Sequence, residues 1–358
     1  MTITRRKLLQ MTSGAGMSAL FGPVAIGQKQ AAPAARAKAT EYLYDYVNPE
    51  FRPVLEKAMK SLPPWPDLSD TALPFYRQSS AGMAKPRLQI PAVQELMIPG
   101  PANSPQVKLF VIGATPGAHK PLVFHTHGGG FVSGAAANEV GTLQQLALDH
   151  DCVVITVDYR LAPETKFPGS LEDNYAALRW VHQNAKDLGV DTTRIALKGE
   201  SAGGGHAAML AIAVRDRREF KLCQQILIYP MLDDRTGSSR QMPPYIGQFF
   251  WDVRKNRYGW TALLGVPAGS ASVLANSVPA RVADLSGLPP TFIGVGSIDL
   301  FGPEDIDFAA RLVAAGVSTE MVLVPGAFHG FDIFIPDAPL SVRFSASWNG
   351  ALKRAFTL

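Results

Sequence analysis

The chain has 358 residues, of which 47% are hydrophobic and 18% charged, so it is long enough to bury a large core. Its formal net charge is +4, but the first 39 residues carry six basic residues and no acid, which leaves −2 for the rest. The basic balance therefore belongs to the N-terminal segment, and the charge gives no reason to expect nucleic acid as a partner.

Residues 1–39 resemble a twin-arginine export signal. Arg5 and Arg6 precede a weakly apolar, Gly/Ala-rich stretch, and small residues stand in an Ala-x-Ala arrangement near Ala37 and Ala39. We expect cleavage near one of these alanines and release into the periplasm or the medium. An uncleaved anchor or a disordered basic tail is the alternative. No other run approaches the ~18 apolar residues of a spanning helix, so no stable membrane insertion is expected after signal removal.

Two helical patterns precede the first strand. Apolar residues recur at helical spacing over 51–59, after the start signal of Asn48, Pro49 and Glu50, and a shorter pattern covers 69–77. Because these residues come before any strand, they must pack on the outside of the sheet that forms later.

From residue 93 onward, strands alternate with helices, which predicts an α/β fold with a mostly parallel sheet covered on both faces. The alternation stops between 234 and about 277, where aromatic residues cluster. Such insertions lie at the C-terminal edge of a sheet, and the aromatics either line an acyl pocket or form the core of a small helical cap. The predicted strands are 93–98, 107–112, 121–126, 153–158, 194–198, 225–229, 291–295 and 320–324, and the predicted helices are 139–150, 170–186, 201–217, 303–315 and 341–355.

Ser201 stands in a Gly-x-Ser-x-Gly pattern at the junction of a predicted strand and a predicted helix. Gly199 and Gly203 remove side chains that would collide in so tight a turn. The serine oxygen would then lie at the start of a helix, where the helix dipole favours developing negative charge. The pattern alone is weak evidence, because the chain has 32 glycines and an ordinary glycine turn also matches it.

A serine hydroxyl becomes a nucleophile when a base takes its proton and an acid orients that base. Among seven histidines, His329 follows the last predicted strand in a glycine-flanked loop at the edge where Ser201 lies. The predicted acid is Asp299, directly after strand 291–295; Asp233 or Asp234, after the preceding strand, is the alternative. His119, His150 and His182 are expected at the surface, and His206 is expected to face away from the turn.

The oxyanion of a tetrahedral intermediate needs N–H donors that are already aimed at it. The glycine-rich run 127–131, directly after the third predicted strand, supplies a loop of bare amides, and Ala202 adds one from the start of its helix. His127 is expected to brace this loop. A phosphate-binding loop is disfavoured, because the run has neither the Lys-Ser/Thr nor the Gly-x-Gly-x-x-Gly pattern.

Together these motifs resemble the hormone-sensitive-lipase-like family of bacterial carboxylesterases. The resemblance covers about residues 90–335 and rests on the runs 127–131, 158–164, 199–204, 288–290 and 329–331, with Asp299. It implies the α/β-hydrolase fold with eight strands, and Ser201 as nucleophile, His329 as base and Asp299 as orienting acid. It implies an oxyanion hole formed by the amides of Gly129, Gly130 and Ala202.

The resemblance further implies a catalytic domain over 86–358, with a cap built from residues 40–85 and the 234–276 insertion. The implied substrates are short- to medium-chain acyl esters, and no metal or organic cofactor is implied. A serine peptidase or amidase with the same triad, or a non-catalytic ligand binder, is the alternative function. The oligomeric state is left open, a homodimer included.

Two positions depart from the family pattern. Glu200 stands where the family commonly has Asp or Thr, and the five residues after Asp299 differ from the usual Pro-Leu-Arg-Asp-Glu, which keeps Asp233 as an alternative acid. Arg160 and Glu164 are expected to pin the loop after the fourth strand.

The two cysteines precede different predicted strands. In the expected sheet order, the strands after Cys152 and Cys223 are separated by two others, roughly 14 Å at ~4.8 Å per step. That distance is too long for a disulfide, so we expect two buried thiols.

Overall fold

The computed structural model describes residues 43–61, 65–82 and 84–357, which all belong to one compact unit. The predicted export signal and its cleavage sites lie outside the described residues. Among the helices that are described, none is long and apolar enough to cross a membrane.

An eight-stranded sheet in the order β1-β2-β4-β3-β5-β6-β7-β8 forms the centre of the fold. Only β2 runs against the others, so six neighbouring strands are parallel. The central strands are buried almost throughout, as parallel strands covered by helices are. The predicted fold class is confirmed. The strands are β1 (Val93–Ile98), β2 (Val107–Ile112), β3 (Lys120–Thr126), β4 (Val153–Asp158), β5 (Val190–Glu200), β6 (Gln224–Ile228), β7 (Thr291–Gly296) and β8 (Thr319–Val324).

The helices pack around this sheet, and the one that follows Ser201 is the most deeply buried. Every residue from 202 to 214 is buried, which is typical of a helix enclosed on all sides. The helices are α1 (Arg52–Ser61), α2 (Leu73–Ala81), α3 (Ala136–His150), α4 (Gly169–Gln183), α5 (Ala185–Leu188), α6 (Ala202–Arg217), α7 (Val253–Leu264), α8 (Gly302–Ala314), α9 (Phe331–Phe334) and α10 (Pro339–Thr357), with a 3-10 turn at Pro279–Arg281.

Most predicted elements differ from the structure only at their ends, with two larger differences. Strand β5 begins at Val190 rather than at residue 194, because an irregularity in the register of β3 lets it pair along a longer stretch. The predicted helix 170–186 is two helices, since the side chain of Asn184 bonds to the carbonyl of Trp180 and ends α4. Between 234 and 276 the structure has α7 and no strand, as predicted.

The two cysteines are unpaired, and β3 and β5 separate the strands that follow them, as expected. Cys152 is buried, but the prediction of burial is wrong for Cys223, which is half-buried. It lies just before β6, at the N-terminal edge of the sheet, where it lines a surface cavity together with Arg194 and Arg354. Burial raises the pKa of the Cys152 thiol to about 12 and that of Cys223 to about 11, so both stay protonated at neutral pH.

The N-terminal segment is attached to the loop that carries His329. The backbone N–H of Asn48 donates to the carbonyl of Gly326 at 3.0 Å. Phe51 is fully buried, and its ring packs against Phe328 and Phe331, which flank His329 on either side. The segment therefore supports the shape of that loop.

Helix α2 is attached to the glycine-rich loop. Arg77 donates to both carboxylate oxygens of Glu164 at 2.8 Å and to the carbonyl of Val132 at 2.9 Å. Arg160 bonds instead to the buried carboxylate of Asp173 on α4. Arg160 and Glu164 thus both pin the loop after β4, in agreement with the expectation.

Candidate active site

Ser201 occupies a tight turn between β5 and α6. Its φ of +56° and ψ of −122° are strained for a residue with a side chain, and its N–H donates to the carbonyl of Ile228 at 2.9 Å. A Cβ at Gly199 would stand 2.3 Å from the carbonyl oxygen of Gly203, and one at Gly203 would stand 2.0 Å from that of Thr126. Both positions therefore require glycine, as the motif predicts.

His329 lies between the Ser201 hydroxyl and a buried carboxylate. Its Nε2 is 3.0 Å from Ser201 Oγ, and its Nδ1 is 2.8 Å from Asp299 Oδ2. The other oxygen of Asp299 accepts the N–H of Phe301 at 3.0 Å, which fixes the carboxylate. Asp299 is 0% exposed and Ser201 is 8% exposed. The structure thus brings together the three residues that the sequence singled out, in a continuous hydrogen-bonded path.

The imidazole of His329 is enclosed by two aromatic rings. Tyr229 and Phe301 meet it edge to face, with ring centroids at 4.9 and 5.2 Å. The Tyr229 hydroxyl donates to Asp332 Oδ1 at 3.0 Å. Burial raises the pKa of Asp332 to about 6, although the Tyr229 hydrogen bond opposes the shift. The sequence reasoning missed Tyr229 and Asp332. The available signals were the position of Tyr229 at the end of a predicted strand and that of Asp332 three residues after His329.

The alternative acids are paired elsewhere. The carboxylate of Asp233 receives Arg235 at 2.8 and 2.9 Å, and that of Asp234 receives Arg281 at 2.7 and 2.8 Å. Both aspartates are buried among these partners. The structure therefore brings Asp299 to His329, and neither of the other two.

The glycine-rich loop lies against the turn of Ser201. A Cβ at Gly128 would stand 3.6 Å from the Cβ of Ser201, which shows how closely the two approach. Gly129 and Gly130 have φ values of +121° and +62°. Within the described chain, the amides of Gly129, Gly130 and Ala202 donate to no other residue. Three amides in this part of the described chain are thus free beside Ser201.

Two buried histidines support this loop from behind. His127 stacks on Tyr159 at 4.2 Å, and its Nδ1 bonds to the carbonyl of Gly128 at 2.8 Å. His206 meets Phe131 and Tyr159 edge to face, so it faces away from the turn as expected. Burial lowers the pKa of His127 to about 4 and that of His206 to about 3, so both rings are neutral at ordinary pH.

The remaining predicted surface histidines are only in part at the surface. His119 is exposed, but His150 and His182 are half-buried. His150 bonds to the side chain of Asn349 at 2.7 Å, and His182 stacks on Phe220 at 4.3 Å. The expectation was wrong for these two because neighbouring elements cover their helix ends.

Glu200 belongs to an ionic cluster beneath the turn, which the sequence reasoning missed. Its carboxylate bonds to Lys198 and lies 2.8 Å from Nε2 of the buried His125, whose Nδ1 meets Thr156 at 2.9 Å. Burial opposes ionisation of Glu200, but Lys198 and His125 outweigh it and lower the pKa of the carboxyl. The available signal was a histidine inside an apolar strand. Across the described residues, no three His, Cys, Asp or Glu side chains are grouped to hold a metal ion.

Comparison with known proteins decides the family. A family model for the alpha/beta hydrolase fold matches residues 123–333, the stretch that carries Ser201, Asp299 and His329. The chain belongs to the α/β-hydrolase family. This hydrolase is 35% identical to carboxylesterase NlhH of Mycobacterium tuberculosis over 240 residues, which are 66% of this chain and 74% of that protein. Esterase LipI of the same organism is 34% identical over 245 residues, or 67% and 74%.

Solved structures agree with this assignment. A bacterial heroin esterase has a TM-score of 0.79 and 32% identity, with 87% of this hydrolase and 99% of that chain covered. Esterase LipW from Mycobacterium marinum has a TM-score of 0.73 and 33% identity, with 88% and 97% covered. The family resemblance read from the sequence is confirmed.

Proposed function

We propose that this carboxylic ester hydrolase is a serine carboxylesterase in which Ser201 is the nucleophile, His329 the base and Asp299 the orienting acid. The observation that carries the proposal is the path of hydrogen bonds from Ser201 Oγ through His329 to Asp299, at 3.0 and 2.8 Å. These distances lie within the range for proton transfer. The relatives named carboxylesterase and esterase support an ester as the bond attacked.

The reaction begins with His329 protonated at Nδ1, where it donates to Asp299. Its Nε2 then takes the proton of Ser201 as Oγ attacks the ester carbonyl, and Asp299 stabilises the imidazolium that forms. His329 returns the proton to the leaving alcohol, and an acyl-enzyme remains. Water repeats the sequence with the same base and releases the acid.

The negative charge of each tetrahedral intermediate falls on the former carbonyl oxygen. The free amides of Gly129, Gly130 and Ala202 are the proposed donors to it. The two glycines stand in left-handed backbone conformations, which aim successive N–H groups in directions that an ordinary loop does not. The start of α6 adds a favourable helix dipole.

Residues 40–85 and 234–276 are the proposed cap. Contacts of Arg77 with the loop at Val132, and of Trp251 with Gly130, support a position of these segments over the site. Ser201 is only 8% exposed, and short- to medium-chain acyl esters are the proposed substrates. The homodimer stays a prediction.

The test is hydrolysis of p-nitrophenyl esters from acetate to palmitate by the full-length protein. Ser201→Ala should lower kcat by about 10⁴-fold or more, because it removes the nucleophile. Ser347→Ala, on α10, is the matched control and should keep wild-type activity. A Ser201→Ala protein that retained most of the wild-type turnover would refute the mechanism.

A parallel p-nitroanilide series addresses the alternative functions. Turnover of anilides without esters would favour a peptidase or amidase on the same triad. A folded protein silent on both series would favour a ligand binder.

We also propose that residues 1–39 direct export through the twin-arginine route to the periplasm or the medium. The paired Arg5 and Arg6, the weakly apolar stretch and the alanines near residue 37 support this. Replacing both arginines with lysine should retain the protein in the cytoplasm of an expressing bacterium. Unchanged periplasmic recovery of that variant would contradict the proposal.

A further inference from the structure

The indole of Trp251 lies directly on the glycine-rich loop. A Cβ built on Gly130 would stand 2.1 Å from Trp251 Cη2 and 2.8 Å from Cζ2, so the outer edge of the six-membered ring touches this glycine. The ring centroid of Trp251 is 6.4 Å from that of His329. The indole therefore bounds the space between the Gly130 amide and the imidazole, where an ester carbonyl must lie.

The backbone directly before Trp251 is strained. The N–H of Trp251 donates to the carbonyl of Phe249 at 2.7 Å, and Phe250 between them has a φ of +61°. This is a γ-turn with a positive central φ, which is rare and strained for a residue other than glycine. Strain of this kind persists where the surrounding structure holds it, and it is concentrated at functional sites.

Side-chain contacts hold the indole from below. Asn256 is fully buried and donates from Nδ2 to the carbonyl of Thr236 at 2.9 Å. Its Oδ1 lies 3.4 Å from Nε1 of Trp251, within reach of a weak hydrogen bond. The position of Asn256 is thus fixed by the fold, and it offers the indole N–H a fixed partner.

The glycine-rich loop also packs closely against helix α7. A Cβ on Gly259 would stand 2.5 Å from the carbonyl oxygen of Gly130, which shows how closely helix α7 approaches the loop. Next to it, Trp260 is fully buried and meets Phe131 at 4.9 Å. In surfaces packed this closely, a change in the volume of one side chain is felt by its neighbours, so the space beside Gly130 depends on the side chains that line it.

We propose that Trp251 sets the upper size of the acyl group that this enzyme accepts and restricts it to esters of short carboxylic acids. The inference rests on the proposed function. The leaving oxygen must lie at His329 Nε2 to receive its proton. The proposal places the acyl chain on the other side of the carbonyl carbon, beside the indole that rests on the loop. A longer chain would have to occupy the volume of the ring.

The test compares kcat/KM for p-nitrophenyl acetate, butyrate, octanoate and decanoate in wild type, Trp251→Ala and Trp251→Phe. In Trp251→Ala the ratio of decanoate to acetate should rise about tenfold or more, since a few methylenes in a pocket are worth that much. Trp251→Phe should give an intermediate ratio. Trp180→Ala, a half-buried tryptophan on α4 outside the contacts of the site, should leave the ratio at the wild-type value.

An unchanged ratio in a Trp251→Ala protein that melts cooperatively would overturn the proposal, and Trp251→Leu provides a larger replacement if the alanine variant does not fold. Acetate esters of alcohols from methanol to octanol form the second arm. A change confined to that series would place the indole on the alcohol side and refute the acyl assignment. If the wild type showed no ester turnover that depends on Ser201, the proposed function itself would fail. The two failures are distinguishable, because the ratio of decanoate to acetate can be measured only in an enzyme that turns esters over.

Discussion

Replacing Asp299 with asparagine changes which proton faces the base while keeping the size of the side chain. Asp299 accepts from His329 Nδ1 at 2.8 Å and from the N–H of Phe301 at 3.0 Å. In Asp299→Asn the amide oxygen can keep the Phe301 contact, which turns the NH₂ group toward His329. Nδ1 must then accept, so the ring proton moves to Nε2, and Nε2 can no longer take the proton of Ser201.

The expected loss is about 10⁴-fold in kcat, equivalent to about 5 kcal/mol of transition-state stabilisation at about 1.4 kcal/mol per tenfold. Such a large effect fits a carboxylate that is 0% exposed, because no water can replace its charge beside the imidazolium. KM should change little, since the carboxylate touches His329 and not the substrate. Steady-state kinetics on p-nitrophenyl butyrate would measure both quantities.

Asp233→Asn is the matched control, because Asp233 is equally buried but pairs with Arg235. The Asp233→Asn variant should lose about 1–3 kcal/mol of stability, which is less than the loss of a fully buried pair because the Arg235 side chain is 42% exposed. Its kcat should stay within about threefold of the wild-type value. If Asp233→Asn lost the activity and Asp299→Asn retained it, the assignment of the orienting acid would be refuted.

Two further predictions concern the surroundings of the site. Gly130→Ala should lower kcat/KM about 100-fold or more, because its Cβ would stand 2.1 Å from Trp251 Cη2. The control is Gly117→Ala, at a position with a φ of +75° and open space around it, which should lower the stability by about 1 kcal/mol and leave the activity unchanged. Asp332 has a pKa raised to about 6 by burial, so the folded state holds the proton more tightly and stability is lost as the pH rises from about 4 to about 6. Urea unfolding at pH 4 and pH 7 measures this loss, and in Asp332→Asn the difference in the free energy of unfolding between the two pH values should be smaller by about 1–2 kcal/mol. A larger difference in the variant than in the wild type would refute the direction of the pKa shift.

The positions of the candidate triad were predictable because they depend on local pattern and on one rule of topology. Ser201, Asp299 and His329 each follow a predicted strand, and the carboxyl ends of parallel strands meet at one edge of a sheet. Alternating strands and helices predict that parallel sheet without any knowledge of distant contacts. Both steps use residues that are close in the chain, and such patterns can be read directly.

Contacts between distant parts of the chain were decided only by the tertiary structure. Asp233 and Asp299 follow neighbouring strands, and only the structure shows that Asp299 meets His329 while Asp233 pairs with Arg235. The same holds for His125 beneath Glu200 and for the indole of Trp251 on Gly130, 121 positions earlier in the sequence. A sequence pattern specifies which face of an element is buried, but which side chain meets it across the fold depends on how all the elements pack together.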